Sequence, residues 1–234
     1  MKVAVVMPAY NAEKTVEKTY NDIPKDVVDD IILVDDCSKD NTLDVAKKLP
    51  IKIYAHKQNK GYGANQKTCY DKALERGADI IVLLHPDYQY DPKKITEMIE
   101  PIKKGEADIV YGSRMMSEGG AKKGNMPRWK QFGNFWLTSY FNLLLGTTFT
   151  DIATGYIAYS RKVLESIPYH QNSNGFTFDE EAIIQCQARG FRSKEIAVPT
   201  RYEEDSSTTS FSDCVAYTLR LGWRVTKYKI NGRN

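Results

Sequence analysis

Four short polar clusters hold the residue types that chemistry on a charged ligand would need. The sharpest is 85–92, HPDYQYDP, where His85, Asp87 and Gln89 occupy alternate positions. On an extended chain such side chains converge. A carboxylate with imidazole and carbonyl neighbours suits a divalent cation that carries a diphosphate. Asp91 ahead of Pro92 reads separately as a helix start. A second cluster, 35–40 (DDCSKD), sets Asp35 beside Asp36 before a short helix. Adjacent like charges make sense where one of them accepts hydrogen bonds from a base N–H or ribose hydroxyls. The competing reading is a solvated pair with Asp40 as a helix cap. The third cluster, 60–65, is Lys60, Gly61, Tyr62, Gly63, Ala64 and Asn65. Its glycines let backbone approach a ligand at a helix N-terminus, a place that favours anions. It lacks the third glycine of a dinucleotide fingerprint and the GK[ST] of a Walker A loop. In the fourth, Pro8 to Glu13 (PAYNAE), a sharp exit from a strand leaves Tyr10 free to cover a base or ribose.

These clusters need a scaffold to bring them together. Short apolar runs at 2–7, 31–34, 51–55, 80–84 and 108–111 alternate with helical stretches at 13–20, 40–48, 64–76 and 92–103. Strands apolar throughout are buried on both faces, so the pattern predicts an α/β fold with a mainly parallel central sheet and helices on both faces. Ligands of such sheets gather outside the carboxyl ends of the strands. The polar clusters follow predicted strands and should meet on that one edge. The second half is less regular. Residues 115–128 form a Gly- and Lys-rich stretch without periodicity, long enough to read as a lid or a disordered segment. Helices are predicted at 129–145, dense in aromatics, and at 178–189, with strands at 156–159 and 194–198.

Composition bounds the rest. A chain of 234 residues, 41% hydrophobic, can bury a sizeable core as one large domain or two halves. A net charge of +3 with interleaved signs argues against nucleic acid as a partner. No run of 18 apolar residues exists, and the apolar start is shorter than a signal-peptide core, so the reading is a soluble, cytoplasmic protein. Cys37, Cys69, Cys186 and Cys214 have no metal-site spacing, and Cys69 and Cys186 read as small buried hydrophobes.

Taken in order, the clusters PAYNAE, DDCSKDNT, NKGYGANQ and HPDYQYDP resemble the family 2 glycosyltransferases. Within them the likeness is strongest to the dolichyl- or polyprenyl-phosphate sugar synthase branch. Gly112-Ser113-Arg114, the run DIATGY at 151–156, and VPTRY at 198–202 followed by Ser206 and Ser207 extend the likeness over about residues 3–211. The resemblance implies a Rossmann-like GT-A fold and an inverting transfer of a hexose from a nucleotide-sugar donor, UDP- or GDP-linked. The acceptor it implies is a polyprenyl phosphate or a glycan hydroxyl. It divides the chain into a donor half (1–112), an acceptor and catalytic half (113–210) and an amphipathic helical tail (211–234). Pro8, Tyr10, Asn11, Glu13, Asp35, Asp36, Lys60, Gly61, Gly63 and Asn65 would line the nucleotide. Asp87, with Gln89 and His85, would hold Mg²⁺ or Mn²⁺ on the diphosphate.

Asp151 and the Thr154-Gly155 turn would shape the sugar and acceptor pocket. Arg114, Arg128 and Arg201 would grip the acceptor phosphate or the leaving diphosphate. A phosphate acceptor needs no general base, but a hydroxyl does, and Asp179, Glu180 and Glu181 are the candidates. Alternatively that trio is a helix first turn favoured by the dipole. Two departures stand out. His85 replaces the first Asp of the family's metal motif, and a ligating imidazole must be neutral. Glu203, Glu204 and Asp205 are more acidic than the branch's pattern and would repel a phosphate they faced. The rival readings are a non-catalytic nucleotide-sugar-binding module and a nucleotidyltransferase. The aromatic stretch 129–149 and the tail 217–230 either cover the core or lie on a bilayer, as a peripheral contact at the inner face of the membrane.

Overall fold

Apolar, β-branched runs build one seven-stranded sheet. In chain order its strands are β1 (Val3–Ala9), β2 (Asp30–Asp35), β3 (Lys52–Ala55), β4 (Ile80–Leu83), β5 (Ile109–Ser113), β6 (Ile157–Ser160) and β7 (Ser193–Ala197). Their spatial order is β3-β2-β1-β4-β6-β5-β7. Every pairing is parallel except those of β6, which runs antiparallel to both β4 and β5. The computed structural model describes residues 1–116, 121 and 124–201. Part of the predicted lid, the acidic run 203–205, Ser206, Ser207 and the tail 211–234 therefore lie outside the described residues.

Helices cover both faces. They are α1 (Val16–Asp22), α2 (Thr42–Ala46), α3 (Tyr62–Glu75), α4 (Ile95–Lys103), α5 (Arg128–Leu145), α6 (Arg161–Ser166) and α7 (Phe178–Ala188). Strand alternation divides the core into two layers. Ala4, Val6, Ile32, Val34, Ile81 and Leu83 pack under α3, α5 and α7. Val3, Val5, Met7, Leu33, Ile80 and Val82 pack with residues of α1 and α4 on the other side. The predicted parallel sheet with helices on both faces is present.

Three local differences from the sequence reading have physical causes. Pro8 was expected to end β1, yet the strand continues to Ala9. Val6 pairs with Leu83, the last residue of β4, so the missing N–H of Pro8 falls where β4 has already left and no ladder bond is lost. The helix after Asp91-Pro92 opens as a 3₁₀ turn, Pro92–Lys94, with Asp91 accepting from the Lys93 N–H at 3.1 Å. Finally, α5 is not a core helix on all sides. Leu137 and Phe141 are buried, while Phe132, Phe135, Trp136 and Leu143 are each more than half exposed.

The glycines of the third cluster answer to the chain itself. Gly61 adopts φ 97°, and the Gly63 N–H donates to the Asn174 carbonyl at 2.8 Å. A Cβ on Gly63 would lie 2.4 Å from the Ser173 carbonyl oxygen. The close approach that the sequence assigned to a ligand is thus made by the backbone leading into α7. Gly63→Ala is expected to cost about 1–3 kcal/mol through forced backbone movement. Urea unfolding should show a lower midpoint at an unchanged slope.

Candidate active site

The four polar clusters do converge at the carboxyl edge of the sheet, but several of their side chains are occupied in holding that edge together. Asp35, fully buried at the end of β2, accepts the Ser38 N–H at 3.0 Å and the Ser38 hydroxyl. Asp36 is 2% exposed and accepts from His56 Nδ1 at 2.6 Å, and from the Lys60 and Gly61 N–H groups at 2.9 Å each. Its role in this geometry is to hold the glycine loop. Asn11 takes the Lys39 N–H at 2.8 Å, and Glu13 takes both the backbone and the side-chain N–H of Asn41. Asn65 was expected on the nucleotide. Instead its amide donates to the carbonyls of Val34 at 3.0 Å and Ala9 at 3.3 Å, and Oδ1 is buried without a partner. Tyr10 and Lys60 remain exposed on this edge.

The 85–92 loop is not extended. Tyr88 sits at φ 59°, and Asp87 Oδ1 accepts the Gln89 N–H at 3.0 Å, so residues 87–89 form a turn. Alternation along an extended chain is therefore not what positions these three side chains. Burial pushes the Asp87 carboxyl up to about 6 against the opposing Gln89 hydrogen bond. Burial pushes His85 down to about 4, which leaves it neutral. The imidazole is stacked on Tyr62, with ring centroids 5.2 Å apart. Its edge fits only because residue 155 is glycine, since a Cβ there would lie 2.8 Å from His85 Cδ2.

Two further carboxylates have opposite surroundings. Asp151 is 1% exposed, and Arg114 grips it through Nε at 2.7 Å and Nη2 at 2.8 Å, with the Arg114 N–H at 3.0 Å and Asn134 at 2.8 Å. Burial raises its pKa, but the guanidinium outweighs burial and the net direction is down. Arg114 and Asp151 are thus each other's partners rather than separate acid, base or anion grip. Asp179 has no cation beside it among the described residues. It accepts from Tyr62 at 2.7 Å and Gln66 at 3.2 Å, and burial pushes it up to about 6 despite those bonds. Glu180, also buried, is pushed well above the carboxylate range by burial and by Asp179. Glu181 instead binds the Ser173 N–H and the Thr177 hydroxyl.

Of the candidate arginines, Arg128 is exposed at the start of α5. Arg201 places its guanidinium 4.6 Å from the Tyr88 ring centroid, donates its backbone N–H to the Gln89 carbonyl at 2.9 Å, and has Nη1 buried with no partner among the described residues. Lys18 covers the same ring at 4.1 Å. The sequence reading assigned no role to His56, Tyr62 or Tyr88. A lone histidine after an edge strand carries no signal, and Tyr62 sat unremarked between two glycines.

Residues 4–167 match the family described as Glycosyl transferase family 2. The chain belongs to that family. It is 33% identical over 234 residues to UDP-N-acetylglucosamine–dolichyl-phosphate N-acetylglucosaminyltransferase of Methanococcus voltae, covering 93% of this chain and 92% of that one. It is 28% identical over 243 residues to polyprenol monophosphomannose synthase of Mycolicibacterium smegmatis, covering 99% and 88%. Its fold is similar to glucosyl-3-phosphoglycerate synthase from Mycobacterium tuberculosis in complex with Mn²⁺, UDP-glucose and glycerol 3-phosphate. There the TM-score is 0.72 at 17% identity, over 97% of this chain and 79% of that one. The protein is a glycosyltransferase of GT-A fold, in the polyprenyl-phosphate sugar synthase branch of family 2.

A cation carried on a diphosphate can take most of its ligands from phosphate oxygens and water. Among the described residues no group of three His, Cys, Asp or Glu could cage a metal. Asp87 supplies one carboxylate on a turn, which fits an ion whose remaining positions are phosphate oxygens and water. The buried acids give a pH signature. Because folded Asp179 titrates near 6 rather than at its ordinary 3.8, the native state binds extra protons between those values, and stability falls as pH rises through them. Asp179→Asn should flatten that fall by up to about 3 kcal/mol, at about 1.4 kcal/mol per pKa unit. Urea titrations from pH 4.5 to 7.5, as a series of about seven points, read the slope directly.

Proposed function

We propose that this glycosyltransferase moves a hexose, with inversion, from a nucleoside diphosphate sugar to a polyprenyl phosphate, and that a divalent cation assists. The reading is supported most by Arg201. Its guanidinium lies over Tyr88, on the loop that carries the cation-ready Asp87, and its Nη1 is buried with no partner among the described residues. An anion grip next to a cation anchor is what two phosphates meeting across a sugar require. Residues 1–112 would bind the donor, with Tyr10 and Lys60 as its exposed contacts and the Asp35 and Asp36 network as its floor. Residues 113–210 would hold the acceptor. A uridine diphosphate sugar is the first donor to test, given the donors named for the Methanococcus voltae relative and the Mycobacterium tuberculosis structure.

Asp87 would hold Mg²⁺ or Mn²⁺, and the ion would offset the negative charge that builds on the departing diphosphate. Arg201 would bind the acceptor phosphate and aim one of its oxygens at the anomeric carbon. The new C–O bond forms on the face opposite the breaking one, and the nucleoside diphosphate leaves with the bonding pair. The acceptor phosphate is already ionised, so no side chain has to remove a proton. Asp179, held by Tyr62 and Gln66, would serve orientation rather than proton transfer.

The acceptor's lipid would be met by α5. Trp129, Phe132, Phe135, Trp136, Tyr140 and Leu143 are exposed on it. Lys122, Lys123, Arg128 and Lys130 are the only charged residues from 119 to 150. Aromatic and basic side chains without acids suit an anionic bilayer surface. No helix among the described residues is long and apolar enough to cross a membrane.

The deciding assay supplies UDP-GlcNAc, UDP-glucose or GDP-mannose with a short-chain polyprenyl phosphate, with and without Mn²⁺. A lipid-linked sugar phosphate formed with one donor is the expected product, and transfer only to glycan hydroxyls would overturn the acceptor assignment. Asp87→Ala should lower transfer by roughly 10²–10³-fold, the scale of losing one electrostatic stabiliser. Replacing both Phe132 and Trp136 by Ser should weaken sedimentation with phosphatidylglycerol-containing vesicles tenfold or more, at about 1.5 kcal/mol per large side chain withdrawn from the apolar phase.

A further inference from the structure

Three segments far apart in sequence meet at the Tyr62 hydroxyl. It donates to Asp179 Oδ2 at 2.7 Å and lies 3.0 Å from His85 Nε2. The direction of these bonds is set from deeper in the core. Tyr70 donates its hydroxyl to Gln66 Oε1 at 2.9 Å, which fixes the amide so that Gln66 Nε2 donates to Asp179 Oδ2 at 3.2 Å. Asp179 therefore accepts from both Gln66 and Tyr62. A phenol has one proton, and that proton is spent on the carboxylate. The Tyr62 oxygen can then only accept from the imidazole, so Nε2 carries the hydrogen and Nδ1 carries the lone pair.

The rings leave little freedom to escape this. Tyr62 and His85 are stacked with planes 11° apart, and Phe176 closes the other side of Tyr62 at 5.0 Å. The edge of the imidazole fills the space that Gly155 leaves open.

We infer that Tyr62 is a positioning residue for the sugar transfer: it links Asp179 to His85 and holds the imidazole in the Nε2–H tautomer, with Nδ1 as an electron-pair donor two residues from Asp87. The inference deepens the cation-assisted reading given above and rests on it for its functional meaning. An imidazole nitrogen with a lone pair can ligate a divalent ion or accept a hydrogen bond from a donor hydroxyl, while an N–H at the same place would repel the ion. Ligating histidines are commonly oriented by a carboxylate on the other ring nitrogen. Here a phenol is interposed, which lets an acid on α7 act on the loop after β4.

The test needs no ligand for its first arm. The chain has three histidines, His56, His85 and His170, so the imidazole ¹⁵N spectrum is readable. In metal-free wild type His85 should show the Nε2–H pattern. In Tyr62→Phe, which keeps the stacked ring and leaves Gln66 on Asp179, His85 should become a mixture of tautomers. Mn²⁺ affinity in the presence of UDP should fall roughly tenfold in the same variant, the scale of losing an outer partner of a metal ligand. An Nδ1–H pattern in wild type, or spectra identical in wild type and Tyr62→Phe, would overturn the assignment. Mn²⁺ affinity unchanged by Asp87→Ala would instead overturn the cation site, a separate failure that the metal-free spectra do not share.

Discussion

One buried carboxylate carries the corner on which the site is built. Asp36, at the end of β2, is removed from water, and a charge so placed needs donors on every side. It finds them in the backbone of Lys60 and Gly61 and in the ring of His56. Those bonds fix where α3 begins. The start of α3 in turn fixes Tyr62 against His85, and Asn65 across the carbonyls that end β1 and β2. The amide of Gly63 then reaches the Asn174 carbonyl, which draws in the segment ahead of α7. Strand ends, glycine loop and α7 thus share one anchor.

Three other buried acids differ in whether a cation answers them. Asp151 has Arg114, which holds its carboxyl below the usual range against burial; the pair binds the end of β5 to the 151–156 turn and to α5 through Asn134. Among the described residues Asp87 and Asp179 have only neutral donors, and burial raises both. The first kind holds structure. Acids of the second kind, raised by burial, tend to cluster where charged ligands arrive.

Much of the scaffold was legible because each central strand is short, apolar and followed by a polar cluster. The parallel sheet, the helices on both faces and the shared edge all follow from that periodicity. The reversed direction of β6 was not legible, since a four-residue buried strand reads alike in either pairing. Within the site, the clusters were located but their partners were not. The glycine loop's true neighbour lies at 173–174, more than a hundred residues on, and no local pattern announces it. The extended reading of 85–89 failed at Tyr88, whose positive φ a tyrosine gives no hint of. For α5, apolar residues surround the helix on nearly all sides, so periodicity could not choose which face turns outward.

The contact of Gly63 with the Ser173 backbone also bears on how ligand preference can change among related chains. Gly61 and Gly63 are dictated from inside, by the backbone carbonyls of Asn174 and Ser173, which no side-chain rotation can move aside. Diversification cannot begin there without breaking the corner first. On the proposed donor site it falls instead to outward positions such as Tyr10 and Lys60, whose side chains are exposed on the open edge. A directed library that spares the glycines and randomises those two positions would explore new donors on an intact frame.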